Sequence, residues 1–201
     1  ASNEILWYSE RDDWGHLYLY DATTGKLKQQ ITKGEFVITR LLKVDEKNRM
    51  LYFLANGREK GRDPYFSHFY RVDFGGKTLQ LLTPEDGNHN VTLSPDGKYF
   101  TDNYSKPDVA PVSVLRDMSG ALIATLEKTD LSKLVASGWK APEPITVKSR
   151  DGKWDLYGLM FTPTTLDKGK KYPVINYIYP GPQGGGVGSR SFSASRSDHQ
   201  A

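Results

Sequence analysis

One unit of strand, turn and strand recurs three times in the first two thirds of the chain, and no other feature limits the fold as much. Each unit opens on an aromatic strand: Leu6-Trp7-Tyr8-Ser9, Leu51-Tyr52-Phe53-Leu54 and Lys98-Tyr99-Phe100-Thr101. A second strand follows and ends in Asp, at His16–Asp21, His68–Asp73 and Val112–Asp117. Each Asp leads into a glycine turn, at Gly25, Gly75-Gly76 and Gly120. Glycine supplies the positive φ of a short hairpin, and the Asp carboxylate accepts backbone hydrogen bonds across the turn. A third strand closes the unit, at Leu27–Thr32, Leu79–Thr83 and Ala121–Leu126.

The second and third units also have a leading strand, Arg40–Asp45 and His89–Leu93. A full unit is therefore four antiparallel strands over roughly 45 residues, the size of a propeller blade. Leu17, Tyr18, Leu19 and Tyr20 put bulky groups on both faces of one strand. That suits a small sheet stacked between two neighbours. The expected fold is mainly β: a partial β-propeller of about three blades, over residues 1–129. A closed propeller usually has at least four blades, so the chain reads as a piece of a longer protein. An open three-sheet array or a β-sandwich is the alternative.

After Thr129 the pattern changes. Asp130–Val135 reads as a short helix with Asp130 as N-cap, and Trp139–Pro144 as a proline-stiffened linker, so that residues 130–144 join two regions. Ile145–Ser149 and Trp154–Phe161 flank Arg150-Asp151-Gly152-Lys153, a hairpin signal. Pro173–Tyr179 is mostly apolar and reads as a central strand of an α/β sheet. It runs into the glycine-rich segment Pro180–Ser189. That segment lacks the lysine of a phosphate loop and the glycine spacing of a dinucleotide loop. A flexible linker, or a loop lining a site at the carboxyl end of a strand, remains.

Composition removes other classes. With 27 basic and 24 acidic residues, net charge +3 and no basic cluster, nothing points to nucleic acid. The absence of Cys removes disulfides, thiol nucleophiles and cysteine zinc sites. His16, His68, His89 and His199 show no metal-ligand spacing and read as turn or surface residues. No run reaches the length of a membrane span, and Ala1–Glu4 is no signal peptide. Asn90-Val91-Thr92 and Asn103-Tyr104-Ser105 match the glycosylation pattern, in expected strands.

Taken together, the chain resembles the dipeptidyl peptidase IV group of the prolyl oligopeptidase family. The best-matching stretches are Trp14–Asp21, Phe69–Val72, Ser94–Tyr99, Lys171–Val174 and Tyr179-Pro180-Gly181-Pro182. The resemblance implies a serine exopeptidase, periplasmic or secreted, that removes X-Pro or X-Ala dipeptides from peptide N-termini. It implies that residues 145–201 begin an α/β-hydrolase catalytic domain. It also implies that Tyr179 donates its hydroxyl to the oxyanion of the tetrahedral intermediate, without metal or organic cofactor. Pro180 stands where relatives often have a small residue. No Gly-x-Ser-x-Gly elbow occurs in the chain, and Ser197-Asp198-His199 are too close in sequence to form a triad. The chain alone is therefore expected to be inactive. The implied partners are a peptide substrate and the remainder of the same polypeptide, with a homodimer as a further candidate through an open sheet edge. The rival reading is a non-catalytic propeller module that binds peptide or protein.

Overall fold

The computed structural model describes residues 3–167, 169–178 and 190–195. Their fold is mainly β, and four antiparallel sheets follow one another along the chain. The first contains β1 (Glu4–Ser9), β2 (His16–Asp21) and β3 (Leu27–Gln30), in that order. The second contains β4 (Val37–Asp45), β5 (Met50–Asn56), β6 (Ser67–Asp73) and β7 (Gln80–Leu81). The third contains β8 (Asn88–Leu93), β9 (Tyr99–Lys106), β10 (Val109–Asp117) and β11 (Leu122–Lys128). A two-stranded hairpin follows, of β12 (Glu143–Lys148) and β13 (Asp155–Met160), after the one helix among the described residues, α1 (Ser132–Ala136). Three, four and four strands in sequence match the expected blades, with no leading strand in the first.

The chain divides into two compact units: residues up to Tyr104 with Ser113–Glu127, and Ser105–Val112 with the described residues from Lys128 onward. Two apolar clusters hold the first unit. Leu51, Phe53 and Ala55 of β5 join Tyr70 and Val72 of β6, Leu17 and Leu19 of β2, and Ile38 of β4 in the first cluster. The alternate residues turn the other way. Tyr52 and Phe69 meet Leu82, Val91 and Phe100 in the second cluster, with Phe69 and Phe100 edge to face at 5.0 Å. The two-residue period of a strand thus gives the second sheet two buried faces. This is what apolar residues on both faces of the repeated strands require.

Asp21, Asp73 and Asp117 each end the middle strand of a sheet and solve the same turn. Asp21 Oδ1 accepts the amides of Thr23 and Thr24 at 2.9 and 2.8 Å. Asp73 accepts those of Gly75, Lys77 and Thr78, and Asp117 those of Ser119 and Ala121. Gly76 sits in the second turn at φ +70°, where a Cβ would lie 2.5 Å from the Ile31 carbonyl oxygen. Hairpins built on Ser-x-Asp-Gly-Lys use a second device twice. Ser94 Oγ donates to Asp96 Oδ1 at 2.7 Å and accepts the Tyr99 amide at 3.0 Å. Ser149 does the same with Asp151 and the Trp154 amide.

These turns make stability sensitive to acid. The Thr24 amide holds Asp21 below the ordinary aspartate range, and the hydroxyls of Ser94 and Ser119 do the same for Asp96 and Asp117. The unfolded chain therefore takes up protons first as pH falls. The stabilisation is complete above the unfolded aspartate value of about 3.9 and is lost as pH drops toward the folded values. The urea midpoint is expected to be level between pH 6 and 5 and to fall toward pH 3. Asp21→Asn with Asp117→Asn should flatten that fall, and equal midpoints at pH 6 and 3 would refute the account.

Several expectations need correction. The third strands end early, at Gln30 and Leu81 rather than Thr32 and Thr83. In both places a buried threonine hydroxyl replaces the next rung of the ladder. Thr32 Oγ1 accepts the Leu17 amide at 3.1 Å, and Thr83 Oγ1 the Phe69 amide at 2.9 Å. Leu131, not Asp130, precedes the first helical residue, and Asp130 Oδ1 instead accepts the Ser132 amide at 2.8 Å. The expected linker runs only to Pro142, because Glu143 and Pro144 already pair with Met160 and Leu159. Residues 171–178 form no strand, and Val174 is 92% exposed. A central strand takes its hydrogen bonds from flanking strands, and none of the described sheets includes this segment. Within the second unit Trp139 Nε1 donates to the Ala194 carbonyl at 2.8 Å, and the Phe192 amide donates to Ser105 Oγ at 2.9 Å.

Candidate functional site

Tyr179, the one catalytic residue expected from the sequence, lies outside the described residues, as do Pro180–Ser189 and Ser197-Asp198-His199. The chemistry that the described residues do bring together is elsewhere, at one edge of the second apolar cluster. It consists of Glu85, His89, Asp102 and Arg116, flanked by Arg62, His68 and Tyr104.

The hairpin of β8 and β9 builds this group. Alternation along β9 buries Phe100 and Asp102, and alternation along β8 buries His89 and Val91. His89 and Asp102 thus share the apolar face, and both side chains have 0% exposure. His89 Nδ1 lies 2.8 Å from Asp102 Oδ2, and His89 Nε2 lies 3.0 Å from the Glu85 carbonyl oxygen. The same carbonyl accepts Arg62 Nη1 at 2.9 Å. Arg116, on β10, donates Nη2 to Glu85 Oε1 and Nη1 to the Gly120 carbonyl at 2.9 Å.

Aromatic rings cover the His89 side of the group, whereas the Glu85 side chain is 30% exposed. The His68 and Tyr104 rings lie 4.8 and 5.3 Å from that of His89. Burial, with His89 and Arg62 close by, pushes His68 down to about 4, so it is neutral at ordinary pH. Its Nδ1–H donates to the Thr83 carbonyl at 3.2 Å. Burial, then the charges of Glu85 and Asp102, push the Tyr104 hydroxyl up.

The histidines correct the sequence reading. His16, His68 and His89 are 1–2% exposed strand residues rather than turn or surface residues. Each has a partner distant in sequence, Thr32, Thr83 and Asp102 respectively, while His68 Nε2 has none among the described residues. Sequence spacing could not show this, because strand register makes the pairs. The usable signal was the Ser94–Tyr99 turn, which folds β8 back on β9 and brings residues 89 and 102 within diagonal reach on one face.

Comparison with known proteins fits this architecture. The family described as the dipeptidyl peptidase IV (DPP IV) N-terminal region matches residues 1–111. The Dipeptidyl peptidase 4 of Arthroderma otae is 28% identical over 190 residues, covering 87% of this chain and 22% of that protein. That of Trichophyton rubrum is 28% identical over 193 residues, with the same two shares. The chain thus spans about a fifth of the length of these curated relatives. The crystal structure of Porphyromonas gingivalis dipeptidyl peptidase 4 superposes with a TM-score of 0.75 at 23% identity, over 96% of this chain and 27% of that one. That likeness is one of fold, and the stacked sheets are those of a partial β-propeller. With more than half of its residues matched, the chain belongs to the dipeptidyl peptidase IV family, in its N-terminal region.

Proposed function

We propose that these residues are part of a serine-type peptidase that releases dipeptides from peptide N-termini, with Pro or Ala in second position. The match of residues 1–111 to the dipeptidyl peptidase IV N-terminal region carries this reading. Residues 1–129 serve as the last blades of the propeller, 130–144 as the connection, and 145–201 as the start of the hydrolase domain. Tyr179 acts as oxyanion donor, as the family resemblance implies: a neutral hydroxyl stabilises charge that develops only in the transition state. The chain itself holds no Gly-x-Ser-x-Gly, so the nucleophile belongs to another part of the parent protein and the chain alone is inactive. Secretion or a periplasmic location accompanies the family resemblance, and no helix among the described residues is long and apolar enough to cross a membrane.

The test is turnover of a Gly-Pro chromogenic substrate by the full-length parent, beside its Tyr179→Phe variant. The parent should be active, and the variant should lose about 10²–10³ in kcat with little change in KM. A parent inactive on every Pro and Ala dipeptide would overturn the peptidase reading. An active parent with an unaffected variant would overturn only the role of Tyr179.

A further inference from the structure

The Glu85–His89–Asp102 group leaves two buried acceptors open, beside one open donor, Arg116 Nε. Asp102 Oδ1 and Glu85 Oε2 are both buried, and neither has a hydrogen-bond partner among the described residues. One ligand-type atom from each of the three residues lies within 4.8 Å of the other two. Arg116 pairs with the Glu85 carboxylate, and Arg62 donates to the Glu85 backbone carbonyl. Two buried carboxylate oxygens left without a donor are costly, and a ligand that brings positive charge would satisfy both.

With Nε2–H donating to the Glu85 carbonyl, Nδ1 turns its lone pair toward Asp102 Oδ2 at 2.8 Å. The 2.8 Å contact needs a proton or a cation between the two atoms. A proton would serve that one contact and leave Asp102 Oδ1 and Glu85 Oε2 bare. A cation would serve all three side chains. The surroundings are also those of metal ligands: a backbone carbonyl fixes the His89 tautomer, and Arg116 holds one Glu85 oxygen while the other stays open.

We propose that Glu85, His89 and Asp102 bind one divalent transition-metal ion of the Zn²⁺ type, which ties the segment before β8 to β8 and β9. One imidazole and two carboxylates are a nitrogen–oxygen donor set that suits Zn²⁺. Ca²⁺ requires six to eight oxygens, more than the three side chains supply. His89 and Asp102 are fully buried and Glu85 is 30% exposed, so the three side chains leave the fourth position of the ion to water.

The experiment strips the 201-residue chain with EDTA, titrates it with ZnCl₂ in a calorimeter, and counts metal by mass spectrometry after gel filtration. One equivalent should bind and raise the thermal midpoint. Asp102→Asn and His89→Gln should each weaken binding at least about tenfold. His16→Gln, at a buried histidine outside the group, should bind as the parent does. Should Asp102→Asn lose its circular dichroism signal, Glu85→Gln replaces it, since the Glu85 side chain is 30% exposed. Less than stoichiometric uptake would overturn the proposal, as would equal affinity in the variants at these three positions. The His89–Asp102 contact would then be a hydrogen bond through a proton.

Discussion

Phe53→Ala lowers the unfolding free energy of this chain by about 3–5 kcal/mol. The ring is 0% exposed at the centre of β5, between Leu41 of β4 and Tyr70 of β6. It stacks on the Tyr70 ring at 5.8 Å in the first apolar cluster. Truncation removes its transfer free energy and leaves a cavity that two flanking sheets cannot both close. Tyr70 cannot swing in to fill it, because its hydroxyl donates to Glu59 Oε1 at 3.0 Å. Val44→Ala, on β4 but 43% exposed and outside both clusters, should cost about 0.5 kcal/mol. Urea unfolding followed by circular dichroism gives both values. A Phe53→Ala loss under about 1 kcal/mol would mean that the second sheet does not hold the two clusters apart.

The same residue shows what the sequence could carry. Leu51-Tyr52-Phe53-Leu54 is legible as a strand with two apolar faces, because the period is local and needs no partner to be seen. The Asp turns are legible for a similar reason: Asp73 and Gly76 solve their geometry within five residues. Burial of polar groups is not local. His68 bonds Thr83 and His89 bonds Asp102, across pairings that composition and spacing do not reveal. Pro173–Tyr179 fails in the opposite direction. Its residues suit a buried strand, yet a strand exists only beside another, and residues 171–178 form none. Tyr179 remains an inference from resemblance, while Glu85, His89 and Asp102 came into view only through the fold.

Arg116→Ala is expected to cost about 3 kcal/mol when measured in EDTA. Arg116 is 4% exposed, and its guanidinium joins Glu85 to the turn at Gly120. Removing it deprives the Gly120 carbonyl of that donor and leaves the Glu85 carboxylate without its ion-pair partner. Partial exposure of Glu85 keeps the loss at the lower end of the range for buried pairs. Glu85→Ala combined with Arg116→Ala should cost less than the two single changes added, since the second change removes a charge that the first had stranded. Added Zn²⁺ should recover part of the Arg116→Ala loss and none of the loss in the double variant. In one case the cation replaces the missing positive charge beside Glu85 and Asp102, and in the other a ligand is gone. A loss below about 1 kcal/mol would make Arg116 an ordinary surface partner. A full loss that Zn²⁺ does not touch would keep the ion pair and count against the metal.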